Sequence, residues 1–279
     1  MKLIRIGEPG QERPALMDAE GVPRDLSGHV DDIDGAALSD AGLEALRAID
    51  PASLPKLDGG RIGPCVGNIG KFVCIGLNYA DHAAEAGMDP PEEPIIFLKP
   101  TSAICGPTDD VLIPRGSEGL DWEVELGVVI GRRAKYVTEA EALDHVAGYC
   151  VVNDVSEREL QTRRGGTWDK GKGYDTFGPI GPWLVSRDEV PDPQALDLWL
   201  DLDGKRQQTG STGTMIFDVA KIVSYVSAVM PLNPGDVIAT GTPPGVGMGQ
   251  TPPRYATAGQ VMTLGISGLG EQRLTLRQD

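Results

Sequence analysis

The stretch Asp121-Trp122-Glu123-Val124-Glu125-Leu126-Gly127-Val128-Val129-Ile130 decides how the chain is read. Trp122, Val124, Leu126, Val128 and Ile130 alternate with Glu123, Glu125, Gly127 and Val129. A period of two marks a β-strand with unlike faces. Glu123 and Glu125 then share a face, with Cα atoms about 6.5–7 Å apart by strand rise. From there two carboxylates can close on one hard cation, whose bonds to oxygen run about 2.0–2.6 Å for Mg²⁺ or Ca²⁺. Taken alone, the stretch fits a solvated strand face better. A metal site needs more ligands and a chemistry to serve, and both must come from elsewhere in the chain.

Downstream, residues 148–154 read as a strand ending on a carboxylate. Ser156-Glu-Arg-Glu159 has the form of a capping box, which predicts a helix directly after Asp154. Strand ends that feed helix starts gather backbone donors and side chains, so they often hold ligands. Asp154 is therefore a third oxygen ligand or an acid in a turn, and Arg158 and Gln161 follow on the same helix. Residues 163–182 are polar and Gly-rich. Gly166 to Lys172 fits GxxxxGK, yet Gly173 replaces the Ser or Thr that would hold Mg²⁺, and the Gly/Pro run beyond cannot start a helix. A P-loop is rejected. A long loop without regular structure is more often functional than not, and Lys170 and Lys172 are its candidates for an anionic group.

Upstream, residues 72–76 form an apolar strand that empties into a helix-prone segment ending near Ala86, with Asp81 as a possible cap. His82 and Glu85 stand three apart and share a helix face, so the carboxylate can orient the imidazole. A general base needs that arrangement; an ordinary surface pair has it too. Gly87 and the Pro-rich residues 89–94 end the helix and make it a candidate lid. A strand over 94–99 ends in Lys99. Residues 1–65 read as a small leading domain, with strands near 2–6 and 13–18 and a helix over 39–49. Residues 66–279 read as the main body. In it, residues 196–205 alternate as a strand, 207–214 read as a polar loop, and 217–230 form an amphipathic helix. A strand from Pro234 opens into a Gly/Pro-rich loop where Thr240, Thr242 and free amides could meet an oxyanion.

Composition bounds the answer. The 279 residues are 40% hydrophobic and 24% charged, as in a folded globular protein. With 37 Gly and 22 Pro clustered between apolar runs, the chain reads as turn-rich and β-rich rather than as a helix bundle. A net charge of −16 argues against nucleic-acid or anionic-membrane partners. No apolar run reaches the roughly 18–20 residues of a bilayer span, and Lys2 and Arg5 interrupt the only apolar run at the amino terminus. Cys65, Cys74, Cys105 and Cys150 are scattered, which suggests free thiols and a cytoplasmic setting.

Six segments occur in order: Gly76-Leu-Asn-Tyr-Ala-Asp-His, Phe97-Leu-Lys-Pro, Asp121-Trp-Glu-Val-Glu-Leu-Gly, Asn153-Asp-Val-Ser-Glu-Arg, Lys172-Gly-Tyr-Asp-Thr-Phe-Gly-Pro and Gly241-Thr-Pro-Pro-Gly-Val-Gly. Together they resemble the fumarylacetoacetate hydrolase family across roughly residues 70–279. The Gly165-to-Gly173 loop further resembles its bacterial 2,4-diketo-3-deoxy-L-rhamnonate hydrolase branch. The resemblance implies an α+β, β-rich catalytic domain with a mixed, rolled sheet and a small N-terminal domain, in a homodimer. It implies Mg²⁺ or Mn²⁺ held by Glu123, Glu125 and Asp154, and a His82/Glu85 dyad on a lid. Lys172 takes a catalytic role, and Lys99, Arg158, Gln161 and Thr242 contact substrate. Lys170 has no assured family counterpart and is added as a substrate-binding candidate.

The implied reaction is hydrolysis of a carbon–carbon bond in a 2,4-diketo acid, releasing pyruvate. Two rivals remain: a 2-oxo acid decarboxylase or lyase using the same metal site, and a non-catalytic binding module. The first has no use for a water-activating dyad, and the second makes the ordered motifs a coincidence.

Overall fold

A computed structural model describes residues 1–85 and 87–279. Its centre is a mixed nine-stranded sheet. In spatial order the strands are Pro23–Asp25, Arg13–Met17, Lys2–Ile6, Leu184–Ser186, Val146–Asn153, Val124–Ile130, Val237–Ala239, Phe72–Gly76 and Ile95–Lys99. A five-stranded sheet packs against it, in the order Lys205–Ser211, Asp197–Leu202, Val261–Ile266, Gly270–Gln278 and Val111–Ile113.

The strand at the middle of the large sheet has no solvated face: every residue of Val124–Ile130 is buried. Val124, Leu126, Val128 and Ile130 enter one core, shared with the smaller sheet and with helix Val219–Val229 through Ile222, Val223 and Val226. Val129 points into a second core with Cys150, Val152, Val237 and Ala239. Fully burying such side chains contributes roughly 1.5–3 kcal/mol each. Gly127 lies opposite Cys150, and a Cβ there would sit 2.7 Å from the Cys150 sulfur, so the close strand packing requires glycine.

Residues 1–65, expected as a small leading domain, extend the same sheet. Lys2–Ile6 pairs antiparallel with Leu184–Ser186, and Leu3, Leu16, Leu43 and Leu46 belong to the second core. The helix expected near 39–49 runs Asp40–Arg47, with the Ser39 side chain accepting from the Gly42 amide. All four cysteines are buried free thiols. No helix among the described residues is long and apolar enough to cross a membrane.

Four local expectations differ from the structure. The strand expected over 121–130 breaks at Trp122 and Glu123, because side chains take their amides: Trp122 N donates to Asp121 Oδ1 (2.8 Å) and Glu123 N to Asn153 Oδ1 (3.0 Å). Ser156 is not a helix cap. Ser156–Glu157 pairs with Leu120–Asp121, and helix Arg158–Thr162 is capped by Glu157, which accepts from Leu160 N. The polar loop expected over 207–214 is largely the strand Lys205–Ser211, joined to Asp197–Leu202 through Asp203 (φ 51°) and Gly204 (φ 72°). Polar residues persist there because it is an edge strand, and Gln208 alone is buried. The loop after Arg163 holds a short helix, Asp169–Lys172, that seats Lys172 inward.

Candidate active site and metal centre

Two strand exits and two loops meet above the central strand. Glu123 immediately precedes strand Val124–Ile130, Glu125 is its second residue, and Asp154 follows the end of neighbouring Val146–Asn153. One carboxylate oxygen from each can lie within 4.8 Å of the others, and all three residues are buried. Carboxylate oxygens are the hard donors that Mg²⁺ takes at about 2.0–2.1 Å, so the chemistry of this donor set suits a small, hard dication.

The triad does not stand alone. Lys172 Nζ donates to Glu123 Oε2 (2.8 Å) and Asp154 Oδ2 (2.7 Å). Lys99 Nζ donates to Asp154 Oδ1 and to the Val155 carbonyl (3.0 Å). Arg158 Nε donates to Asp121 Oδ2 (2.7 Å) and Nη1 to Gln161 Oε1 (2.8 Å). Its Nη2 lies 2.6 Å from Glu123 Oε1, a charge contact without the alignment of a hydrogen bond. Glu125 Oε2 accepts from the Gly241 amide (2.8 Å).

Electrostatics follow from this wiring. Burial alone would raise the Glu123 carboxyl, but Lys172, Arg158 and His82 outweigh it and hold it at about 2. Burial pushes Glu125 well above the usual carboxylate range, helped by Asp154 and Glu123 and only partly opposed by Lys172. Burial works against the Lys172 ammonium too, yet Asp154 and Glu123 raise it overall. Asp121, Glu123 and Asp154 thus face Lys99, Lys172 and Arg158, and with Glu125 protonated the buried cluster is neutral, as burial demands. A dication together with ionised Glu125 would leave one positive charge in excess. An anionic ligand would then be attracted.

The cluster floors a cavity of about 220 Å³ lined by His82, Glu123, Glu125, Asp154, Arg158, Gln161, Lys172 and Thr242, with Phe97, Trp168, Met88 and Met248 as apolar walls. His82 and Glu85 lie on helix Ala80–Glu85, with Nδ1 and Oε2 3.1 Å apart. Glu85 is itself held by the Gly245 amide, which donates at 3.0 and 3.1 Å. With Glu85 accepting from Nδ1–H, the Nε2 lone pair of His82 is left free. Trp168 packs edge-on to Phe97 (5.5 Å between centroids), and Gly76 makes room for it: a Cβ there would meet the indole at 2.2 Å.

Four of the expected contact residues stand differently from the rest. Lys99 does not line the cavity; its side chain is fully buried behind Asp154. Thr242 lines it, but its hydroxyl proton goes to Val124 O (2.9 Å) and Gln208 Nε2 donates to it (2.8 Å), so it has no free donor. Lys170 is exposed and away from the cavity, because residues two apart on a helix do not share a face and Lys172 takes the inward one. Thr240 bonds Leu126 O (2.9 Å) and lies outside the lining.

Two residues were missed by the sequence reading. Asp121 is fully buried and accepts from Trp122 N, Gly247 N (2.6 Å), Met248 N (2.9 Å) and Arg158 Nε, tying the loop near residue 247 to the arginine. It has the same parity as Glu123 and Glu125, a signal that was there to be read. Gln208 sits in the segment taken for a loop, and its Oε1 accepts from Val124 N (3.0 Å).

Residues 71–277 match the C-terminal domain of the fumarylacetoacetate hydrolases. A chain from Burkholderia multivorans, which carries only the provisional name of a hydrolase, is 68% identical over 274 residues, 98% of this chain and 97% of its own. Among solved structures, the fumarylacetoacetate hydrolase of Exiguobacterium antarcticum is 34% identical with a TM-score of 0.88, covering all of both chains. The maleylpyruvate hydrolase of Sphingobium sp. SYK-6, solved with manganese(II) and pyruvate, is 27% identical with a TM-score of 0.83, covering 100% of this chain and 99% of that one.

Proposed function

The chain belongs to the fumarylacetoacetate hydrolase family, and from that premise we propose that it hydrolyses the C3–C4 bond of a 2,4-diketo acid of the acylpyruvate type. The finer reading is a diketo-deoxy sugar acid such as 2,4-diketo-3-deoxy-L-rhamnonate, cleaved to pyruvate and lactate. One observation carries the proposal: an imidazole with an orienting carboxylate lines the same cavity as three clustered carboxylates. The Sphingobium relative, solved with manganese(II) and pyruvate, supports the class of product.

Glu123, Glu125 and Asp154 would hold Mg²⁺ or Mn²⁺. When bound, that ion supplies Lewis-acid stabilisation of negative charge on the 2-oxo acid end of the substrate. Lys172, seated between two of the carboxylates, fixes their orientation and offers positive charge to the substrate carboxylate. His82 Nε2 takes a proton from water as its oxygen bonds to C4. The C3–C4 bond then breaks, its electron pair stays on C3, and His82 returns the proton there. The products are a carboxylic acid and pyruvate. Met88, Met248 and Trp168 give the cavity apolar walls.

Pyruvate release from acetylpyruvate tests this. EDTA should abolish it and Mg²⁺ or Mn²⁺ restore it; full activity of metal-free protein refutes the scheme. His82→Ala should lose turnover by about 10²–10⁴-fold while still binding oxalate in the presence of Mg²⁺. A second reading, isomerisation of a 2-hydroxydienoate, is favoured by a Mycobacterium marinum isomerase 32% identical to this chain. It would need His82 but release no pyruvate. Oxaloacetate decarboxylation would survive His82→Ala.

A further inference from the structure

Asp121 and Trp122 directly precede Glu123, are fully buried, and do not line the cavity. Both reach one loop, residues 245–249. The Trp122 indole Nε1 donates to the Gly245 carbonyl (3.1 Å), and Asp121 accepts from the amides of Gly247 (2.6 Å) and Met248 (2.9 Å). On its other side the same loop meets the short helix Ala80–Glu85. The Gly245 amide donates to both oxygens of Glu85 (3.0 and 3.1 Å), and Glu85 Oε2 stands 3.1 Å from His82 Nδ1. Gly245 is thus gripped twice, its carbonyl by Trp122 and its amide by Glu85. We infer that Trp122 and Asp121 are positioning residues for His82: they fix the loop that fixes Glu85, and Glu85 fixes the imidazole. The effect on turnover rests on the acylpyruvate reading above; the seating of the helix does not.

The helix cannot supply that order by itself. It has six residues, and isolated helices shorter than about 12–15 residues are marginal in water. Its seat therefore comes from tertiary contacts, and the loop fits it closely. A Cβ on Gly249 would stand 2.4 Å from Glu85 Cγ. The loop is hemmed in behind as well: a Cβ on Gly245 would stand 2.0 Å from the Gln207 carbonyl oxygen, and one on Gly247 2.0 Å from that of Arg254. With no slack on either side, a shift at Trp122 or Asp121 passes to Glu85. Proton transfer is sensitive to such shifts, since a misplacement of about 1 Å can cost about 10²-fold in rate.

Trp122→Phe keeps an aromatic ring in the core and removes the indole donor. On acetylpyruvate its kcat should fall about 10-fold, between the worth of one hydrogen bond and that of a full misplacement, with KM within about twofold. Oxalate affinity in the presence of Mg²⁺ should stay within about twofold of wild type, because the three carboxylates are untouched. Backbone amides of residues 80–85 should exchange with deuterium at least about 5-fold faster, as their seat loosens. A double-mutant cycle separates positioning from plain core packing. Combined with Glu85→Gln, Trp122→Phe should lower kcat by less than about twofold further, because the two act in series. Additive losses in the cycle, a parallel loss of oxalate binding, or unchanged exchange over residues 80–85 overturns the inference. Asp121→Asn should speed the same exchange from the far side of the loop, and it replaces Trp122→Phe if that variant does not fold; unchanged exchange there is equally fatal. A wild type that releases no pyruvate from any acylpyruvate overturns the functional reading, while the exchange comparison still decides the seating.

Discussion

Asp121→Asn changes one atom and should unsettle the site from behind. The two oxygens of Asp121 each accept two N–H groups: Oδ1 takes Trp122 (2.8 Å) and Gly247 (2.6 Å), and Oδ2 takes Arg158 Nε (2.7 Å) and Met248 (2.9 Å). Whichever way the asparagine amide turns, its NH₂ faces two donors. Two bonds to a charged group are lost at about 1.5–3 kcal/mol each, and the sum agrees with the roughly 3–5 kcal/mol expected when a buried ion pair loses one partner. For a chain of this size the midpoint of thermal unfolding should fall by about 6–15 °C. Urea denaturation gives the free energy directly, and Glu159→Gln, which removes only an exposed pair with Arg164, should stay within about 0.5 kcal/mol of wild type. Arg158, released from Asp121, would turn fully to Glu123 and compete with a cation for it, so Mg²⁺ affinity should fall as well. A loss below about 1 kcal/mol with unchanged Mg²⁺ binding would refute the claim that Asp121 holds arginine and loop together.

Three further substitutions separate the roles of neighbouring groups. Glu125→Gln removes one of four buried carboxylates facing three buried cations, so metal-free stability should hold or rise while Mg²⁺ affinity drops at least about tenfold; calorimetric titration and thermal melts check both. Lys170→Ala should leave acetylpyruvate cleavage within about twofold of wild type, since Lys170 is exposed and off the cavity; a large loss would return it to the site. Gly249→Ala places a Cβ 2.4 Å from Glu85 Cδ. The flexible glutamate can move, so stability should change by less than about 1 kcal/mol, but His82 loses its orienting partner and kcat should fall about tenfold or more with KM nearly constant. An unchanged kcat would remove Glu85 from the scheme.

Much of this was legible in the chain itself, for local reasons. The two-residue period of a strand marked Glu123 and Glu125 as partners, and they do converge, although Glu123 stands just outside strand Val124–Ile130. A three-residue spacing placed Glu85 against His82. The misreadings also have local causes. Ser156-to-Glu159 has capping-box letters, yet pairing of Ser156–Glu157 with Leu120–Asp121 took the backbone first. Residues 207–214 read as a loop, although strand Lys205–Ser211 takes most of them, because an edge strand needs few apolar residues.

The sequence by itself determined the strand from Val124 onward, the pairing of Glu123 with Glu125, the His82–Glu85 pair and the ordered motifs of the family. Each of these is written within a few residues, where φ/ψ preference and side-chain spacing act. Only the tertiary structure decided that both faces of Val124–Ile130 are buried, so that Glu123 and Glu125 cannot be a solvated rim. It also decided that Lys99 stands behind Asp154 rather than in the cavity, and that Asp121 is a brace. The reason is charge compensation under burial. Whether a carboxylate keeps its charge depends on which cation reaches it, and Lys172 reaches Glu123 across 49 residues and Lys99 reaches Asp154 across 55. The amide that steadies Glu125 comes from 116 residues away. The opening strand holds the carboxylates, and the folded chain supplies the cations and amides that make their burial possible.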